Sequence, residues 1–148
     1  GAMAAGPKVG AMTGFFFGMF SFIQAFRSPA VMMQFASSYN PLYALIICVV
    51  PRVAIGWIAW KLFRILPGKL AVRAGGAAVI TTFLHTVMFL SLFYLLVGMP
   101  FAQHQGVSPV AVAEMLAGIA GANGIPEAIV AGVITAPILS ALYRIGNR

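Results

Sequence analysis

Four polar side chains lie inside or at the edge of long apolar segments, where such groups are costly and usually functional. Arg52 follows Pro51 in ICVVPRVAIGW, and His85 lies among threonines in TTFLHTVMF. Asn123 and Glu127 belong to NGIPE, at the front of the last apolar run. A guanidinium group binds a carboxylate through two parallel hydrogen bonds. The residue types therefore predict a ligand site, with Arg52 as a clamp for an anionic group.

Each of these residues also has a structural interpretation that the sequence leaves open. Arg52 and Glu127 are candidate partners in a buried ion pair. Pro126 suits the first turn of a helix, and the positive end of the helix dipole stabilises Glu127 beside it, so NGIPE is alternatively a helix cap. His85 is alternatively a hydrogen-bonded packing residue. His104, in an exposed loop, has no predicted role.

The composition indicates the elements that position these residues. The chain has 148 residues, of which 61% are hydrophobic and 7% charged, and a soluble domain cannot bury that much apolar surface. Apolar runs of about 20 residues are long enough to cross a bilayer as helices. Four such runs are present, at 9–26, 41–66, 75–98 and 125–145.

The sequence thus predicts an all-α integral membrane protein, a helical bundle forming one domain over residues 1–148. Four full transmembrane helices are expected, together with the end of an earlier helix. That remnant is inferred from GAMAAGPKVG, in which Gly6 and Pro7 interrupt an apolar run.

The net charge of +7 is distributed as topology predicts. Arg27 is the only lysine or arginine in the connections assigned to the outside. Seven others lie at the chain ends or span ends assigned to the cytoplasm: Lys8, Lys61, Arg64, Lys69, Arg73, Arg144 and Arg148. We therefore expect a multi-pass protein of the cell membrane with both visible ends in the cytoplasm. Water and lipid phosphate suffice as partners for these cations, and no nucleic acid is expected.

Glycines recur every four residues in the first span. Gly10, Gly14 and Gly18 share one helical face, which allows close approach of a neighbouring helix. This face is predicted either to pack within the subunit or to contact a partner protein.

The two outward connections are more than plain linkers. Residues 27–40 mix apolar and polar side chains and are expected to form a lid, with Tyr39 and Asn40 as candidate ligand contacts. The second connection is predicted to contain a helix from Pro109 to about Ala120, with Ser108 as its N-cap. The outer side is therefore expected to carry the function.

Several function classes lack their sequence signatures. Cys48 is the single cysteine, so neither a disulfide framework nor a metal site is expected. No catalytic Ser/His/Asp set and no GxxxxGK[ST] phosphate loop occurs. We expect no enzyme activity, no catalytic residue and no cofactor in this chain.

Three segments resemble a known family: GPKVGAMTGFFFGMFSFIQ, the Pro-Arg pair in CVVPRVAIGW, and NGIPEAIVAGVITAPI. They are similar to the substrate-binding S components of energy-coupling factor (ECF) vitamin transporters, first the pantothenate-type group and then the hydroxymethylpyrimidine group. The resemblance implies a six-helix subunit, of which this chain would contain the third to sixth helices. The resemblance also implies the partners, a transmembrane coupling protein and two ATPase subunits, which would use ATP and magnesium.

The resemblance also implies roles for individual residues. The vitamin would bind between the outer halves of the last three helices, with Arg52 on the carboxylate of pantothenate. Asn123 and His85 would bond its amide and hydroxyl groups, and Glu127 would hold Asn123 or a hydroxyl. His85 replaces an asparagine of the pantothenate-type pattern, so another vitamin remains an alternative. A neutral pyrimidine would favour the ion pair, and a stand-alone secondary transporter is a further alternative.

Overall fold

The protein is built from helices alone over the residues that the computed structural model describes, 2–27 and 31–146. In chain order they are α1 (Ala2–Ala5), α2 (Pro7–Ala25), α3 (Val31–Tyr39), α4 (Pro41–Ile65), α5 (Leu70–Gln105), α6 (Pro109–Ile119), a π-helical turn (Ala120–Gly124) and α7 (Ile125–Gly146). The prediction of an all-α membrane helical bundle is confirmed.

Three helical segments are long and apolar enough to cross a membrane: Pro41–Ile65, Leu70–Gln105 and Pro109–Ile145. The first predicted span, at 9–26, forms α2, a helix of 19 residues, but it is not among those three. Lys8, Gln24 and three glycines lower the mean hydropathy of α2, although its large apolar side chains, such as Phe16 and Phe20, are mostly exposed.

The glycine face of α2 packs on α4. Gly10 lies against the carbonyl of Gly56, Gly14 against the carbonyl of Arg52, and Gly18 against Val49, so the two helices run antiparallel. A methyl group at any of these glycines would collide with the backbone of α4. Small residues thus allow the two backbones to touch, as is common between membrane helices.

A second close contact joins α5 and α7, which also run antiparallel. Gly132 of α7 lies against Val79 and the backbone of Gly75, and Gly124 lies against Thr86. This contact fixes the start of α7 beside the middle of α5.

Two apolar clusters fill the two ends of the bundle. One contains buried side chains of α3, α4, α5 and α6, centred on Ile47, Phe93, Val97 and Val112. The other joins Phe63, Ala74, Ala77 and Leu139 from α4, α5 and α7. Met3 and Tyr143 line one cavity beside the second cluster, so the two described ends of the chain lie at the same end of the bundle.

The turn predicted at Gly6 and Pro7 separates α1 from α2. Gly6 has φ 95°, a left-handed conformation that favours glycine, and Pro7 occupies the first turn of α2.

The helix predicted over 75–98 is longer than expected, since α5 runs from Leu70 to Gln105. Pro100 lies inside it, and the helix ends at Gly106, whose φ of 67° is again left-handed. A proline removes only one backbone donor and does not oblige a helix to end, which explains the wrong boundary.

The last span was predicted over 125–145, and α7 does begin at Ile125, but it does not begin as a separate helix. The predicted helix does begin at Pro109, with the Ser108 hydroxyl accepting a hydrogen bond from the Ala111 N–H at 3.1 Å. It then continues through the π-helical turn into α7 without a break, so Glu127 does not lie at a free helix end. The wider π turn accommodates Pro126 because a five-residue spacing already interrupts the regular hydrogen-bond ladder.

The predicted lid is largely helical. Its residues 28–30 lie outside the described residues, and residues 31–39 form α3. Ala36 of α3 is fully buried against the core, and the ring of Phe35 meets Phe101 edge-on at 5.3 Å between centroids.

Candidate functional site

Arg52 lies at the middle of α4, with its guanidinium group held between two aromatic rings. Its guanidinium carbon is 5.0 Å from the centroid of Phe17 on α2 and 6.0 Å from that of Phe89 on α5. Nη1 donates a hydrogen bond to the carbonyl of Cys48, one turn earlier, at 2.8 Å. Nε is buried and has no hydrogen-bond partner within the described ranges. The side chain is thus fixed in place with a donor still to be satisfied.

His85 lies close to the same rings. The centroid of its imidazole is 6.3 Å from that of Phe89, one helical turn further along α5. Its Nε2 is buried and, across residues 2–27 and 31–146, has no hydrogen-bond partner. Buried polar atoms in proteins nearly always have a hydrogen-bond partner. Two buried nitrogens without one, Nε of Arg52 and Nε2 of His85, therefore mark a place near Phe89 where a polar ligand would be stabilised.

A small cavity of about 250 Å³ adjoins the guanidinium group. Its polar side chains besides Arg52 are Thr13 and Thr81. Both hydroxyls donate to carbonyls one turn earlier in their helices, at 2.8 and 2.6 Å, so their oxygens can still accept. The remaining wall consists of Ala2, Gly10, Gly14, Phe17, Ile55, Gly56 and Ala59. Cavities for whole ligands are typically about 300–1,000 Å³, so this one fits part of a small molecule.

Arg52 and Glu127 form no ion pair. Both residues are described, and no salt bridge occurs anywhere in the described part of the chain. The chain has only two acids, Glu114 and Glu127, and both side chains are exposed. A positive charge inside an apolar span thus lacks an acidic partner, a costly arrangement unless an anion can bind there.

The structure does not bring Asn123 and Glu127 into contact with Arg52. Both are exposed, Asn123 in the π-helical turn and Glu127 one turn later in α7. Gly124 between them packs on Thr86, the neighbour of His85, so this segment lies beside the predicted site.

Tyr39 and Asn40 occupy the junction of α3 and α4. The ring of Tyr39 is about half exposed and stacks on Phe35 at 5.8 Å. Asn40 caps α4, since its Oδ1 accepts a hydrogen bond from the N–H of Leu42 at 2.9 Å. The cap uses the side-chain oxygen of Asn40, so the two N–H groups of its side-chain amide can donate to a ligand.

A second cavity, of about 430 Å³, opens between α5 and α6 and contains none of the predicted site residues. It is lined by Val87, Leu90, Ser91, Tyr94, Leu95, Ala113, Leu116, Ala117 and Ala120. The hydroxyl of Tyr94 is 3.5 Å from the carbonyl of Pro109, to which it donates.

Sequence reasoning missed Phe17 and Phe89, which flank Arg52. A signal for both existed: Phe17 follows Gly14 by three residues and Phe89 follows His85 by four, so each shares a helical face with a residue already singled out.

Comparison with known proteins identifies one relative. No protein-family model matches the chain, and no solved structure matches it. The pantothenic acid transporter PanT of Lactococcus lactis subsp. cremoris (strain MG1363) is 25% identical over 155 residues. The similarity covers 99% of this chain and 74% of the relative. Nearly the whole chain is therefore similar to a vitamin transporter.

Proposed function

We propose that this protein captures pantothenate from outside the cell as the substrate-specific subunit of an ECF-type ABC transporter. It would deliver the vitamin inward together with a transmembrane coupling protein and two ATPase subunits. The similarity to a pantothenic acid transporter supports the vitamin class, and the chemistry around Arg52 supports the choice of an anionic vitamin.

The observation that carries the proposal is the guanidinium group of Arg52, fixed inside an apolar helix without an acid to pair with. Pantothenate has one carboxylate, which a desolvated guanidinium binds through charge-assisted hydrogen bonds. The adjoining cavity of about 250 Å³ would hold this carboxylate arm.

The other polar groups of pantothenate are one amide and two hydroxyls. The buried Nε2 of His85 would bond one of them, and the exposed Asn123 and Glu127 would reach the far end of the molecule. In this arrangement α3, which carries Tyr39, would cover the bound ligand from the outer side.

Hydroxymethylpyrimidine fits this chemistry less well. It is flat and neutral, so it would leave the charge of Arg52 without a counter-ion in a low-dielectric environment. The unpaired state of Arg52 thus favours an anionic vitamin.

The proposal is tested in two steps with purified protein. The isolated subunit should bind pantothenate without hydrolysing ATP, because its sequence contains no phosphate-cradling loop. In liposomes it should accumulate pantothenate only when the coupling protein and ATPases are present and ATP is supplied. Accumulation by the subunit alone, driven by an ion gradient, would instead identify a secondary transporter.

A further inference from the structure

The end of the bundle where α4 ends and α5 begins is rich in cations, and we call it the basic end. Its members come from α4, the following connection, α5 and α7: Lys61, Arg64, Lys69, Arg73 and Arg144. Both acids lie elsewhere, on α6 and in the first turn of α7. The charge at this end is therefore not neutralised by the protein.

Two arginines at the basic end line a cavity of about 340 Å³. Arg73 is half-buried and held in place, since its Nε and Nη2 donate to the carbonyl of Phe63 at 3.1 and 2.7 Å. Its guanidinium carbon lies 4.8 Å from the ring centroid of Phe63, and its Nη1 forms no hydrogen bond to any described residue. Arg64 and the ring of Tyr143 complete the polar part of the lining.

A neighbouring cavity of about 510 Å³ continues the same surface. It shares Leu70 and Tyr143 with the first cavity and adds Lys69, Ser140 and Arg144. Together the two cavities offer four cations and two hydroxyl groups around one tyrosine, a set that suits phosphate oxygens.

The surroundings of these cavities suit a lipid better than a free ion. Trp60 lines the first cavity, with the guanidinium carbon of Arg64 5.2 Å from its ring, and Lys61 lies 5.1 Å from the ring of Trp57. Tryptophan paired with cations is typical of the membrane–water interface. Four exposed apolar side chains that could contact acyl chains are adjacent in sequence to residues lining the cavities: Ile65, Val72, Leu142 and Ile145.

We propose that the basic end binds the phosphodiester headgroup of an anionic phospholipid, with Arg73 and Arg64 on the phosphate and the acyl chains along the adjoining apolar surface. Basic pockets between membrane helices recognise anionic lipids by this chemistry. The site is separate from Arg52 and does not depend on which vitamin the protein binds.

The chain supplies its own probe for this site. Its two tryptophans, Trp57 and Trp60, both lie at the basic end, so intrinsic fluorescence reports from there. The full chain would be reconstituted in phosphatidylcholine vesicles containing brominated phosphatidylglycerol, whose bromines quench a nearby tryptophan. Brominated phosphatidylcholine in the same amount measures contact with bulk lipid.

We expect brominated phosphatidylglycerol to quench more strongly than brominated phosphatidylcholine. Arg64→Gln should lower the relative affinity for phosphatidylglycerol about 5-fold, and Arg64→Gln with Arg73→Gln about 30-fold, at about 1 kcal/mol for each cation. Arg27→Gln is the matched control, because Arg27 follows the C-terminal end of α2, at the end of the bundle opposite the basic end. Tryptophan quenching in this variant should equal that in the wild type.

Three results would overturn the proposal. They are equal quenching by the two brominated lipids, an Arg64→Gln variant with unchanged preference, and loss of the preference in millimolar inorganic phosphate, which would indicate a free-anion site. The side chain of Arg64 forms no hydrogen bond within the described residues, so Arg64→Gln tests the site even if the Arg73 variant fails to fold.

Discussion

Arg52 and His85 lie on different helices but share the ring of Phe89, which is 6.0 Å from the guanidinium carbon and 6.3 Å from the imidazole centroid. Each also has a buried nitrogen without a partner among the described residues. The ring of Phe89 packs against both side chains but offers no hydrogen-bond partner to either of these two nitrogens. This arrangement suits a site that is organised before its ligand arrives.

Replacing Glu127 should not affect the stability of the ligand-free protein. Its side chain is exposed and not paired with Arg52, so Glu127→Gln should change the free energy of unfolding by less than about 0.5 kcal/mol. Thermal unfolding in detergent without ligand measures this. A loss of about 3 kcal/mol or more, recovered by adding Arg52→Gln, would instead reveal a buried ion pair.

His85→Ala should weaken pantothenate binding about 10-fold, because it removes one hydrogen bond to a polar ligand group. His104→Ala is the matched control, since His104 is exposed and packs on Phe35 with 5.0 Å between ring centroids. Calorimetric titration of both variants makes the comparison. Equal affinities for the two variants would remove His85 from the site.

Gly14→Ala should destabilise the protein by about 1–3 kcal/mol, because the added methyl group would collide with the carbonyl of Arg52. Gly118 on α6 has open space around it, so Gly118→Ala should be neutral or stabilising by up to about 1 kcal/mol. Melting temperatures of the two variants test the contact between α2 and α4. A Gly14→Ala variant as stable as Gly118→Ala would contradict the antiparallel packing described for these helices.

A single cysteine at Gln105 should react with an impermeant thiol reagent added outside intact cells, whereas one at Lys69 should not. Both side chains are exposed, and the positive-inside rule assigns Lys69 to the cytoplasm. The background variant is Cys48→Ala, since Cys48 is the only native cysteine and is buried. Labelling of Lys69→Cys and not of Gln105→Cys would show the opposite orientation, with the proposed binding site facing the cytoplasm.

The fold class followed from composition, but the end of α5 beyond Pro100 and the continuity of α6 with α7 did not. Pro100 lies inside α5, and Pro126 lies in the first turn of α7, directly after the π-helical turn that joins α7 to α6. Pro109, preceded by the capping hydroxyl of Ser108, began a helix as predicted. A cap has a local signature, whereas a proline tolerated inside a helix depends on distant contacts that periodicity does not reveal.

The candidate site likewise contains one residue that its own sequence context reveals and others that only the packing of helices reveals. An arginine inside an apolar run can be recognised as functional from the sequence because its cost is local. Its neighbours Phe17 and Phe89 depend on how α2 and α5 pack against α4, which the glycine spacing indicates only in part.

The most direct test of an anion clamp at Arg52 compares pantothenate with pantothenol, which carries a neutral alcohol in place of the carboxylate. Calorimetric affinities of both ligands would be measured for the wild type, Arg52→Lys and Arg52→Gln. We expect the wild type to prefer pantothenate by about 30-fold to several thousand-fold, corresponding to roughly 2–5 kcal/mol for a buried charge-assisted contact. Arg52→Lys should retain part of this preference, because an ammonium group keeps the charge but lacks the planar fork, and Arg52→Gln should abolish it. Equal binding of the two ligands by the wild type, or an Arg52→Gln variant with the full preference for pantothenate, would contradict the role assigned to Arg52.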